Sequence, residues 1–239
     1  MSPVQTARVW LRHLVCWGLA VASLTAGLEA REVQSHGLLF EKWLRDTFFG
    51  GYVPEGYTQK WDIPAKANTK HGGIPVNPKA TKLGSPIGLG DALRQHQINE
   101  PFLLIVGFWE QVSETEKRWV NVQSVKVTPE KWRQLWGTVT LADLQNLIAV
   151  IKNKSLSLEE ARAQVKVMKT KPPFTTSVIE LNPKIDRSQR RLQCSLGFEA
   201  FFDHFAPSAE RGILATPRVF GIALPGSFES KPREITPEP

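Results

Sequence analysis

The run Pro101-Phe-Leu-Leu-Ile-Val-Gly-Phe-Trp109 constrains this chain more than any other stretch. It is apolar on both faces, so it needs cover above and below, as a buried central strand does. Arg118 to Val127 alternates apolar and polar residues and reads as its antiparallel neighbour. Upstream, Leu39, Phe40, Trp43, Leu44, Thr47 and Phe48 recur at helical spacing, with Glu41 on the border of the stripe and Gly50-Gly51 ending it. Tyr57 to Ile63 reads as a strand closed by Pro64, followed by a Lys- and Gly-rich loop from Ala65 to Gly73. Ile74 to Thr81 is extended, but Pro75 and Pro78 bar it from the middle of an ordinary ladder.

Helix starts are written more plainly. Asp91 to Gln97 reads as a short helix. Thr128-Pro129-Glu130 combines an N-cap, a first-turn proline and an acid at the positive helix end. Thr140 caps a helix carrying Leu144, Leu147, Ile148 and Ile151, and Ser157-x-x-Glu160 is a capping box opening a helix that runs to about Lys169. That last helix carries Arg162, Lys166 and Lys169 on one side. Val178 to Leu181 and Arg191 to Leu196 read as strands, and Phe198 to Phe205 as a short aromatic helix. Strands and helices mix without strict βαβ alternation, which predicts an α/β fold with a mixed central β-sheet flanked by helices.

The two ends read differently from this middle. Arg8 and Arg12 precede an apolar run from Leu14 to Leu24, and Ala26, Gly27 and Ala30 follow, the layout of a signal peptide or hydrophobic leader over residues 1–30. Cleavage near Ala30 would export the protein, periplasmic in a bacterial setting; a misassigned start would leave it cytoplasmic. The apolar run is short for a membrane span, so no stable span is expected once the leader is removed. The main domain is then 31–206, with 207–239 a loop-like extension whose tail from Glu229 reads as disordered.

Charge and residue inventory narrow the chemistry. Lysine and arginine exceed aspartate and glutamate by seven. The first 30 residues hold only two arginines and one glutamate, so the surplus belongs to the domain. Such a balance suits a polyanion such as nucleic acid and equally a merely basic protein. Outside the leader Cys194 stands alone, which excludes an intramolecular disulfide framework and a cysteine-rich zinc site. No GxSxG, GxxxxGK[ST] or GxGxxG is present.

What remains is a sparse pattern: Lys60-Trp-Asp62-Ile-Pro64, then Asn77-Pro-Lys79-Ala-Thr-Lys82, then Gly90-Asp91-Ala-Leu-Arg-Gln95, ahead of the core strand. An acid at a strand end, with a lysine on the next extended segment, resembles the PD-(D/E)XK nucleases, the restriction-endonuclease-like group. The likeness spans Glu41 to Trp109 and implies a restriction-endonuclease-like fold, Mg²⁺ as cofactor and DNA as partner, with a homodimer open. Carried over, Asp62 is the first acid, Asn77-Pro78-Lys79 stands where the group has acid-x-lysine, and Glu41 is the helical acid. Mg²⁺ takes oxygen ligands and polarises phosphate and water, and a lysine beside it can hold the attacking water. Asn77 departs from the pattern, since an amide brings no charge; Glu41 or Asp91 would have to supply the missing carboxylate. Asp91 also reads simply as an N-cap.

A second cluster, Lys184-Ile-Asp186-Arg-Ser-Gln189-Arg-Arg-Leu-Gln193, is rich in side chains that contact phosphates and base edges. Arg187, Gln189, Arg190, Arg191 and Gln193 are its candidate nucleic-acid contacts, with Lys82 and Gln95 added from the first pattern. The alternative is a solvated turn between strands. The sequence thus predicts a Mg²⁺-dependent endonuclease of restriction type, with two alternatives open: a nucleic-acid-binding relative without catalysis, and an exported envelope protein with no nucleic-acid role.

Overall fold

The computed structural model describes residues 36–54 and 60–229. The leader, the first part of the strand expected from Tyr57 and the last ten residues lie outside the described residues. Helix α1 covers residues 36–48. Strand β1, Val76–Lys82, and β2, Ile87–Asp91, precede a short helix α2, Ala92–His96. The long strands β3, Phe102–Gln111, and β4, Glu116–Val127, follow, then helices α3, Pro129–Gln134, α4, Leu141–Lys152, and α5, Leu158–Lys169. Strands β5, Ile179–Ile185, and β6, Arg190–Leu196, lead into helix α6, Phe198–Phe205. Short strands β7, Arg218–Val219, β8, Ile222–Ala223, and β9, Ser227–Glu229, end the described chain.

The expected mixed sheet flanked by helices is present. One ladder runs β1-β3-β4-β9 and a second β2-β6-β5. β1 pairs parallel to β3, and the other pairings are antiparallel. β1 leaves the first ladder at Lys82, and after a tight turn the chain enters the second as β2, so the sheet curls. Parallel pairing needs a long crossover, and the segment carrying β2 and α2 supplies it. Pro78 is tolerated because β1 is an edge strand of its ladder, where a missing N–H leaves no hydrogen-bond gap.

β3 is buried on both faces, as its composition demands. Phe102, Leu104, Val106 and Phe108 pack into the larger core with Trp132, Trp136, Leu144, Phe201 and Phe202. Leu103 and Ile105 face a smaller core made by Phe40, Leu44 and Phe48 of α1 with Trp119 and Val76. Gly107 fixes how close α1 can come: a Cβ there would lie 2.8 Å from the Phe40 ring and 3.0 Å from Trp119. The missing side chain lets α1 settle directly on the sheet. Gly50 and Gly51, both at positive φ, then end the helix.

Several helix starts are capped as the sequence predicts. Thr128 caps α3, and Thr140 and Ser157 form capping boxes with Asp143 and Glu160. The segment from Pro207 has no helix or strand before β7, and it is tied to the body. Asn121, fully buried, donates Nδ2 to Glu210 O at 2.9 Å and Gly212 O at 2.7 Å, and Leu214 N donates to Val120 O at 2.8 Å. β9 then adds to the outer edge of β4. A buried amide demanding carbonyl partners is the physical reason this stretch is ordered. The strand expected over Tyr57 to Ile63 reduces, in its described part, to an antiparallel bridge between Ile63 and Val76.

Candidate active site

Three side chains far apart in sequence meet beside the outer edge of β1. Asp62 is held from both sides. Trp61 is buried against Phe102 and donates its indole N–H to Glu100 Oε1 at 3.0 Å, while Ile63 is fully buried and exchanges backbone hydrogen bonds with Val76. The carboxylate between these anchors stays 38% exposed. Lys79 lies two residues beyond Asn77, so strand alternation puts both on one face of β1. Its ammonium donates to Asp62 Oδ2 at 3.3 Å and to Pro78 O at 2.8 Å. An ammonium has three donors, so one remains.

Glu41 arrives from α1, one residue after the Phe40 that Gly107 admits. Its side chain is 25% exposed, and Arg45, one turn on, lies 3.6 Å away. Burial pushes the Glu41 carboxyl up to about 7, and the Asp62 charge pushes the same way, against the pull of Lys79 and Arg45. Two carboxylates that repel each other, one of them partly desolvated, form a site that gains from a cation. Asn77 is 5% exposed and adds an uncharged amide on the Lys79 face. Among the described residues no group of three His, Cys, Asp or Glu is placed to hold a metal. The acidic donors here number two, which matches what Mg²⁺ takes from proteins when water and phosphate oxygens complete its shell.

The remaining sequence candidates have other contacts. Asp91 caps α2, accepting from Arg94 N at 2.9 Å. Together with Lys79 it acts on the Cys194 thiol, which burial pushes up to about 12 and Asp91 raises further, while Lys79 opposes. Lys82 is exposed at the end of β1. Gln95 is buried, its Oε1 has no partner and its backbone carbonyl accepts from Trp132 Nε1 at 2.7 Å, so it faces the interior rather than an open surface.

The arginine cluster is the β5–β6 hairpin turn, and Asp186 organises it. Its carboxylate accepts from Ser188 N at 2.8 Å, Ser188 Oγ at 2.7 Å, Gln189 N at 2.8 Å and Gln189 Nε2 at 3.1 Å. These bonds, led by those from the Ser188 and Gln189 side chains, hold its carboxyl down at about 2. Arg190 turns inward, donating to Asn153 O and, at 3.1 Å, to Leu156 O. Arg187 and Arg191 are exposed, and Gln193 lies in β6 between Asn182 and Asp91. Sequence reasoning missed Arg45 and the organising role of Asp186; the i, i+4 spacing of Glu41 and Arg45 and the Asp-x-Ser pattern were the available signals.

No family model, curated protein or solved structure matches the chain.

Proposed function

We propose that this protein is a metal-dependent phosphodiesterase of restriction-endonuclease-like architecture that cuts DNA at the β1 edge. The observation that carries the reading is the meeting of Glu41, Asp62 and Lys79, drawn from a helix, a bridged loop and a strand, with Lys79 Nζ 3.3 Å from Asp62 Oδ2. Glu41 and Asp62 would hold Mg²⁺, with Asn77 as a neutral oxygen donor. Bound there, the ion would polarise the phosphate and acidify a water. Lys79, fixed by Asp62 and Pro78 O, has one N–H left to orient that water or to meet charge developing on phosphate. Arg45 holds Glu41 in place from within α1. The basic surplus of the chain supports a polyanionic substrate.

The test is cleavage of duplex DNA by the purified protein with Mg²⁺ and with EDTA. Cutting with Mg²⁺ alone is expected, with Asp62→Ala and Lys79→Ala each lowering it by roughly a hundredfold or more. Cleavage indifferent to both substitutions would sink the assignment. The buried, uncharged Asn77 favours one second reading, a DNA-binding relative that has lost hydrolysis. It predicts binding without cutting in the wild type and cleavage gained in Asn77→Asp.

A further inference from the structure

The face of α5 that carries Arg162, Lys166 and Lys169 borders, with β5, an open groove of about 490 Å³ to which neither α1 nor β1 contributes a lining residue. Its walls are those three cations with Thr170, Val165, Pro183 and Ile185, and no carboxylate lines it. Two of the cations are fixed by the edge of β5. Arg162 donates Nε and Nη2 to Ile185 O at 3.0 and 2.6 Å, and Lys169 donates to Leu181 O. A backbone carbonyl positions a cation without cancelling its charge. Arg162 has five N–H donors and uses two; Lys169 has three and uses one. Lys166, between them, is exposed. The acid felt by Lys169, Glu180, lines a neighbouring hollow of about 310 Å³ instead, and burial holds the Lys169 ammonium below the usual lysine range.

Three cations on one groove, two of them fixed by backbone carbonyls, and a short apolar wall in a space of this size suit a small ligand with an anionic end and a flat apolar end. We propose that the α5–β5 groove binds a small organic phosphate of the nucleotide class. Its phosphate rests on Arg162, Lys166 and Lys169, and its base on Val165, Pro183 and Ile185. The site is separate in its residues from the carboxylate cluster and does not depend on that cluster being catalytic.

The test is calorimetric titration of the full chain with a nucleoside monophosphate and, separately, with inorganic phosphate. One-site saturable binding of the nucleotide is expected, with inorganic phosphate weaker because it cannot use the apolar wall. Lys166→Glu should weaken the nucleotide by roughly tenfold or more at unchanged melting temperature, because this exposed side chain makes no bond to β5. Asp62→Ala should leave the affinity as it is. Absence of saturable nucleotide binding, or equal affinity in Lys166→Glu, would overturn the site. Inorganic phosphate binding as tightly as the nucleotide would overturn the ligand class. A fall in duplex DNA affinity in Lys166→Glu without any nucleotide binding would also overturn it, and would assign the groove to a polynucleotide path.

Discussion

Replacing Glu41 with glutamine removes the charge that the carboxylate cluster tolerates least. The native carboxyl is raised from 4.5 to about 7, first by burial and then by Asp62. For an acid whose folded pKa is raised, the folded state binds the extra proton between the two values, so stability falls as pH rises from about 4.5 to about 7 and stays low above that window. A shift of this size corresponds to about 3 kcal/mol at most, and mostly inside the window from pH 5 to pH 8, where roughly 2 kcal/mol should be lost. Glu41→Gln should lack this loss, since glutamine is neutral throughout. Urea midpoints of both proteins at several pH values isolate the effect, because every other group titrates in both. The wild type should match the variant near pH 4 and fall progressively behind it between pH 5 and pH 8, and millimolar Mg²⁺ should close the gap by neutralising the carboxylates. Parallel profiles from pH 5 to pH 8 would refute the argument that Glu41 is held beside Asp62 in a desolvated pocket.

The packing around that pocket and the hairpin turn set three further expectations. Gly107→Ala places a methyl 2.8 Å from the Phe40 ring, which should cost about 1–3 kcal/mol in urea denaturation, and any nuclease activity should fall with it as α1 lifts Glu41 away. In salt titrations of DNA binding with EDTA, Arg187→Ala and Arg191→Ala should each lower the log–log slope by about one. Arg190→Ala, whose guanidinium holds backbone carbonyls of the α4–α5 loop, should leave that slope unchanged and lower the melting temperature instead.

What the sequence made legible was local. Thr140 and Ser157 reveal their helices because the capping partner lies three residues on, and the α6 span follows from its own aromatic periodicity. β3 was legible because a strand buried on both faces has almost no alternative. β2 was not, since Gly88 and Gly90 break its pattern and serve a bulge against β6. β5 extends past Leu181 because Pro183 and Lys184 are acceptable on an edge strand, a fact set by neighbours rather than by residues. β7 to β9 are too short for any periodicity to show. At the site, Asp62, Lys79 and Glu41 could be chosen by type and order, while their approach depends on Gly107 and on the Ile63–Val76 bridge. Gln95 illustrates the opposite failure: a polar residue on a short helix reads as surface, and tertiary packing over it decides otherwise.

The bonds from Arg162 and Lys169 to β5 also bear on how copies of this protein meet. β5 is the outer strand of its ladder, and an outer strand with open carbonyls is a template for another chain to pair with. Here Leu181 O and Ile185 O are already taken by cations, and Pro183 between them has no N–H to offer. A second molecule could add there only by displacing two charged side chains and bringing its own strand against Lys166. Any homodimer is therefore directed to helices or to another edge, and charge-neutral replacements of Arg162 and Lys169 together would open this rim to strand-by-strand aggregation.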